Sequence, residues 1–477
     1  IEMKIMNKWL LFLLVVVLEG CNNWLDVKPA DRVNEDKVFN SEKGFHSALN
    51  GIYIELIKPE LYGVSMSCEM IELLAQRYKV AETNKNYQVL TDFKYTEDYV
   101  KGRLQLTWDA VYKLILNCNM ILENAERQRN ILSDPGYAVV RGEALALRAF
   151  LHFDMLRLFG PVYSEKPSDT AIPYVEKVSV STSDVLPADT VVYGRILRDL
   201  KEAESLLLTG DPVVTEGPKL EEDTDNTYTF RSLRLNYFAV LALEARVYLY
   251  AGDKKNALEY ARMLIGHPER ENWFPFNTYT EIMGNEKNRD RVFSSDMLFG
   301  LFNTERSDIY KDYFDQENAS ASLLVPRVGA IETLFAGEEA DYRYSLWQPS
   351  LVPGDKSLLC YRFKRSEEGG VYNNLMPLIR MSEMFLIAAE CSENEEDAYG
   401  YLNTLRSHRG LFKVSDKLEH HLEQEYNKEF LCEGQLFFYY KRKNVKNLVS
   451  GTTGKNIEMS AAAYVPLLPE SETKYRN

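Results

Sequence analysis

The stretch Ser232–Pro268, SLRLNYFAVLALEARVYLYAGDKKNALEYARMLIGHP, decides the fold. Apolar residues recur at three- and four-residue steps from Ser232 to Ala251 and again from Asn256 to Gly266, which gives each of two α-helices one buried face. Gly252-Asp253 between them suits a turn, and Pro268 stands past the second helix, where its missing N–H does no harm. Ala245 and Ala257 are small enough to let the helices approach closely. The segment therefore reads as a helix pair that needs neighbours on both sides.

This pattern, with Ala245, Tyr248, Gly252, Ala257 and Pro268, resembles a tetratricopeptide unit. A second possible copy runs through Ala388-Ala389-Glu390, a polar turn near Asn394, then Ala398, Leu402 and Leu405. Working outward, helical periodicity marks Gly44 to Lys58, Leu104 to Arg129, Tyr137 to Phe159, Asp189 to Leu208, Pro377 to Cys391, Glu395 to His408 and His420 to Lys443. The intervals Pro161 to Val185, Pro212 to Arg231 and Glu269 to Val371 are rich in Pro, Gly, Asn, Asp and aromatic residues, as long loops and short strands are. The expected class is mainly α, a tetratricopeptide-like helix-pair frame with long loops and a few short strands.

The 477 residues carry a net charge of −15, so a polyphosphate backbone would be repelled and nucleic acid is not an expected partner. The same field opposes charge-driven binding to an anionic membrane surface. Attachment would need a lipid or an apolar segment, and one stands at the N-terminus. Lys4 and Lys8 precede an apolar run from Trp9 to Leu18, shorter than the ~20 residues of a membrane-spanning helix, as in a secretory signal peptide. Leu18-Glu19-Gly20-Cys21 then resembles a bacterial lipobox, with Glu19 departing from its pattern. Residues 1–20 are the expected lipoprotein signal, and Cys21 the expected lipidated N-terminus. The other cysteines, Cys68, Cys118, Cys360, Cys391 and Cys432, form no CxxC pair; they suit small buried hydrophobes better than a disulfide scaffold or a zinc site.

Longer strings, in order along the chain, resemble the SusD/RagB family. After Cys21 come Trp24-Leu25-Asp26-Val27-Lys28-Pro29 and then Phe45, Ala48, Leu49, Asn50, Gly51, Ile52 and Tyr53. Trp108, Tyr112, Ile115 and Asn119 follow, then Arg141-Gly142-Glu143-Ala144, Arg148-Ala149-Phe150 and Leu158-Phe159-Gly160. Toward the C-terminus stand Pro377-Leu378-Ile379-Arg380, Glu383, Ala389-Glu390, Asn403, Arg406, Arg409-Gly410-Leu411, Glu429-Phe430, Glu433-Gly434 and Tyr464-Val465-Pro466-Leu467-Leu468-Pro469. Gln435 and Tyr163 depart from the family's usual Arg and Pro. The resemblance implies one SusD-like domain over 21–477, with an N-terminal part of about 22–230 and a RagB/SusD part of about 231–477. It further implies an outer-membrane, surface-exposed lipoprotein that binds oligo- or polysaccharide such as starch and passes it to a SusC-like TonB-dependent transporter. A peptide-binding or purely structural lid of such a transporter is the alternative, and a helical glycoside hydrolase a more remote one. Most matched residues read as structural: Arg141, Glu143, Arg148, Arg380, Glu383 and Arg406 as ion pairs between packed helices, and Trp108, Tyr112, Phe150 and Phe159 as core rings.

Catalytic motifs are absent from the sequence. It has no HExxH, GxSxG or GxGxxG, and adjacent His420-His421 cannot face one metal from one side of a helix. Gly451-Thr452-Thr453-Gly454-Lys455 lacks the first glycine and the closing Ser or Thr of a phosphate loop and reads as a turn. Asp223-Thr224-Asp225-Asn226-Thr227 imitates a calcium loop, but Tyr228 stands where glycine is needed. No catalytic residue, metal or cofactor is expected. A sugar site sets an aromatic face against the ring and surrounds it with amides and charged groups. Two aromatic loop clusters have this mixture: Tyr78, Tyr87, Phe93, Tyr95 and Tyr99, and Trp273, Phe274, Phe276 and Tyr279, with Tyr342, Tyr344 and Trp347 as a weaker third. From these, Tyr78, Tyr87, Tyr95, Trp273 and Tyr279 are the expected ligand-binding rings.

Overall fold

The computed structural model describes residues 37–179, 183–219, 228–317 and 321–474. Cys21 and the Asp223–Thr227 segment lie outside them. Helices dominate: α1 (Glu42–Leu56), α2 (Asp98–Arg127), α3 (Asp134–Phe159), α4 (Leu197–Gly210), α5 (Tyr237–Tyr250), α6 (Lys254–Ile265), α7 (Tyr279–Met283), α8 (Ala330–Leu334), α9 (Met381–Cys391), α10 (Glu395–Ser407), α11 (Leu418–Glu429) and α12 (Leu436–Lys443). Side chains cap the starts. Ser133, Asn236 and Asp253 accept the orphan N–H groups of Gly136, Ala239 and Asn256 at the heads of α3, α5 and α6.

The helices stack in a continuous series, α2 on α3, α3 on α4, α4 on α5, α5 on α6, α6 on α9 and α9 on α10. This is how helix-pair repeats bury faces that no single pair can cover. The Ser232–Pro268 pair is α5 and α6, joined at Gly252, whose φ of 77° suits glycine. α3, α5 and α9 sit deepest; nearly every residue of each is buried.

Two expected helices are corrected. Pro377–Arg380 belongs to a strand, β6 (Leu375–Arg380), paired antiparallel with β3 (Met297–Phe302). All six β6 residues are buried, so its apolar run looks the same for a core strand and a core helix. The segment His420 to Lys443 divides into α11 and α12, because Cys432 and Gly434 take φ of 58° and 65° between them. Three further antiparallel pairs complete the strands: β1 (Thr170–Pro173) with β2 (Val185–Pro187), β4 (Trp347–Pro349) with β5 (Leu358–Cys360), and β7 (Asn447–Val449) with β8 (Asn456–Glu458).

Buried ion pairs cross-link the stack. Arg148 meets Asp199 (2.7 Å), Arg246 meets Glu383 (2.6 Å), and Arg231 bridges Glu143 and Asp211, 2.5 and 2.6 Å away. Glu429 alone accepts from Arg380, Arg409 and Arg343, at 2.5, 2.6 and 2.9 Å. Trp108 packs on Tyr112 (4.4 Å between centroids) and edge-on to Phe159 (4.9 Å). The matched family residues thus hold the fold together. The cysteines Cys68, Cys118, Cys360, Cys391 and Cys432 are free and buried.

Candidate functional site

Of the expected rings, three lie in the core. Tyr78 is 1% exposed, with its hydroxyl 3.8 Å from Cys432 Sγ and its ring edge-on to Phe314. Tyr87, 6% exposed, lies on a short helix, Lys85–Thr91, capped by Asn84. Tyr95 is also 6% exposed and donates to the Ala463 carbonyl (2.6 Å). Their expected presentation to a ligand is therefore corrected. Burying a ring removes a large apolar area from water, and each of these loops folds back far enough to do so. Phe274, Phe276 and Trp347 are buried for the same reason.

Trp273 is half-buried; its indole lies against His267 and Phe238 (5.2 and 5.7 Å), and at Gly217 a Cβ would stand 2.7 Å from it. Tyr279 is different. It is 60% exposed at the first position of α7, whose start is fixed by a capping box between Thr278 and Glu281. Its ring meets Tyr342 edge to face at 5.4 Å, so the second and third aromatic clusters of the sequence join here. Tyr342 is seated over Gly410, where a Cβ would come within 2.3 Å of the ring.

A cleft of about 310 Å³, built from four chain segments, lies elsewhere. The first is the turn at Gln76–Arg77. Gln76 takes a left-handed φ of 61°, and its side chain donates to the Thr91 carbonyl (2.8 Å). Arg77 is pinned by Glu72 at Nε and by the Asn427 carbonyl at Nη1 (3.2 Å), while its Nη2 has no hydrogen-bond partner among the described residues. Burial opposes the charge on Arg77, but the adjacent Glu72 carboxylate wins and raises its pKa.

The second segment is the β7–β8 hairpin, which contains the Gly451–Lys455 turn. Gly451 lies directly on the first segment: a Cβ there would be 2.3 Å from the Gln76 carbonyl oxygen and 2.4 Å from that of Tyr78. Val80 N donates to Thr452 Oγ1 (3.0 Å), and Ser450 Oγ accepts from the backbone of Thr452 and Thr453 (3.3 and 3.1 Å), so the turn is tied down. The third segment is Arg327 with α8, which contributes Ile331, Thr333 and Leu334. The fourth is α11 with α12: α11 presents Glu423, Gln424 and Asn427, positions that share one helix face, and α12 adds Leu436 and Tyr440. Asn427 also donates to Tyr440 OH (3.0 Å).

The lining thus combines amides, guanidinium groups, one carboxylate and aliphatic surface, a mixture suited to hydroxyl groups with some apolar contact. Among the described residues, no cluster of His, Cys, Asp and Glu could hold a metal ion. Phe335, next to the cleft residue Leu334, packs on Tyr344 (5.2 Å), two residues along the chain from the Tyr342 that meets Tyr279. Sequence reading missed Gln76, Arg77, Arg327, Glu423, Gln424 and Asn427. The signal closest to hand was the paired glycines of the Gly451–Gly454 turn, which mark close backbone approach as well as a bend.

Comparison with known proteins agrees with this architecture. A family described as SusD-like, starch-binding and associating with the outer membrane, matches residues 23–249, and the SusD_RagB family, described as the SusD family, matches residues 355–462. SusD-like protein P38 of Formosa agariphila is 26% identical over 263 residues, which covers 53% of this chain but only 44% of that protein. A SusD superfamily protein of Bacteroides thetaiotaomicron superposes with a TM-score of 0.72 at 20% identity over 91% of this chain and 98% of its own. The surface glycan-binding protein A of the same organism gives 0.62 at 19% identity over 91% and 97%. With family matches on both sides of the long central loops and the same helical architecture across nine-tenths of its length, the chain belongs to the SusD/RagB family.

Proposed function

We propose that this protein is a non-catalytic, lipid-anchored outer-membrane lipoprotein that binds oligo- or polysaccharide and passes it to a SusC-like TonB-dependent transporter. The observation that carries the reading is the cleft: a concavity within the volume range of ligand sites, walled by amide, guanidinium and aliphatic groups. It has a single lining carboxylate, Glu423, whereas glycoside hydrolysis ordinarily uses a pair. Family membership and the relative named for surface glycan binding support the ligand class. Tyr279, backed by Tyr342, extends the proposed contact surface with an exposed ring, and half-buried Trp273 is its proposed neighbour among the aromatic contacts. Cys21, in its lipobox-like setting, is the proposed anchor.

Isothermal titration and affinity gel electrophoresis of a form starting at Asn22, against plant, microbial and host polysaccharides, test the reading. Reversible binding without release of reducing ends is expected. Tyr279→Ala should weaken binding about tenfold, while Tyr87→Ala and Tyr95→Ala should lower stability. Release of reducing ends would replace the carrier by a hydrolase. Copurification with a transporter but no affinity for any glycan would favour the peptide-binding or structural lid.

A further inference from the structure

Arg327 and Glu423 stand out within the cleft because neither is used by the fold. Arg327 Nη1 donates only to the carbonyl of its neighbour Val328 (3.2 Å), and no ion pair joins it to a carboxylate among the described residues. The Glu423 carboxylate likewise has neither ion pair nor hydrogen bond there. Yet both are placed. Arg327 lies flat against Gly454, where a Cβ would stand 2.9 Å from its Nε and 3.0 Å from its Cζ, and Gly454 itself has a φ of 70°. Glu423 is held on α11 beside Gln424 and one turn before Asn427, whose carbonyl anchors Arg77.

The only other charged lining residue, Arg77, is already matched by Glu72. A guanidinium and a carboxylate, each without an ion pair among the described residues, then remain in the lining, and together they add no net charge. An uncharged sugar satisfies both: one hydroxyl accepts from Arg327 while another donates to Glu423, each bond strengthened by the ionised partner. A sugar bearing a carboxylate would gain Arg327 but meet Glu423. It would also lose water in a molecule of net charge −15, with no surplus positive charge to compensate.

We infer that Arg327 and Glu423 are the specificity-determining pair of the cleft and that they select electrically neutral sugar units over acidic ones. The inference rests on the glycan-binding reading above and deepens it.

The test is isothermal titration of the form starting at Asn22 with gluco-, manno- and galacto-hexaoses, each compared with its C6-carboxylate counterpart of the same linkage. The wild type should bind at least one neutral hexaose tenfold or more tightly than its carboxylate form. Glu423→Gln should shrink that preference at least tenfold by leaving Arg327 unbalanced, and Arg327→Gln should weaken the neutral ligand about tenfold. Gly454→Val, which would push Arg327 aside, should resemble Arg327→Gln; circular dichroism on each variant checks the fold. Equal or tighter binding of the carboxylate forms by the wild type, or a preference unmoved by Glu423→Gln, overturns the inference while leaving glycan binding in place. No binding of any pair by wild type or variants overturns the glycan reading together with it.

Discussion

Glu429 shows how much a single side chain holds here. Burial pushes its carboxyl up, but the guanidinium groups of Arg409, Arg380 and Arg343 overcome this and hold it well below the usual range. Glu429→Gln would leave these three buried cations short of a partner. A loss of about 3–5 kcal/mol in denaturant unfolding is expected. Glu244 is the opposite case. Burial, with Glu204 adding to it and Lys201 opposing, raises its carboxyl to about 8. A carboxyl whose folded pKa lies above its unfolded value contributes stability that is full below the unfolded value of about 4.3 and lost as pH rises through about 8. Glu244→Gln should therefore match the wild type near pH 5 and exceed it by about 1–3 kcal/mol near pH 9, checked by unfolding at both pH values. At this scale the ion-pairing residues were legible: Arg141, Glu143, Arg148, Glu383 and Arg406 lie on helices and pair, and Arg380 pairs from the end of strand β6, because charged residues inside apolar runs need partners. The tyrosines were not. Composition places a ring in a loop, but only packing decides whether the loop turns it outward, as at Tyr279, or inward, as at Tyr78, Tyr87 and Tyr95.

Among the elements, the joint between α11 and α12 is the most exacting. Gly434 combines a φ of 65° with a close approach in which a Cβ would stand 2.0 Å from the Met66 carbonyl oxygen. Its N–H also reaches Glu72 Oε1 (3.3 Å), the carboxylate that pins Arg77 in the cleft. Gly434→Ala should lower stability by about 1–3 kcal/mol, measured as a fall in thermal midpoint, and should disturb the cleft through Glu72. Helical periodicity ran unbroken across this joint, since local hydrophobic spacing carries no sign of a left-handed residue. The same blindness assigned Pro377–Arg380 to a helix: β6 is buried on both faces, and a fully apolar run has no period to read. The α5–α6 pair was legible because the one-sided face of α6, the Gly252 turn and Pro268 agree on one structure, although α5 is buried nearly all round.

The whole molecule is a stack of helices against which long loops and short hairpins build a cleft, and its proposed work lies at a membrane. Replacement of Cys21 by Ala should move the protein from the outer-membrane to the soluble fraction on cell fractionation, because one or two acyl chains would be its hold on the bilayer. A saturating neutral oligosaccharide should raise the thermal midpoint, by the equivalent of about 2.7 kcal/mol at a concentration a hundredfold above Kd. The sequence by itself determined the helical frame, the family and which charged residues need partners. Each of these rests on spacing and residue type within short stretches, where neighbours along the chain are neighbours in space. Only the tertiary structure decided which rings face water and that a cleft exists. Gln76–Arg77, Arg327, Glu423 and the Gly451–Gly454 turn are far apart in sequence, and they meet only because the core closes and its glycines let backbones touch.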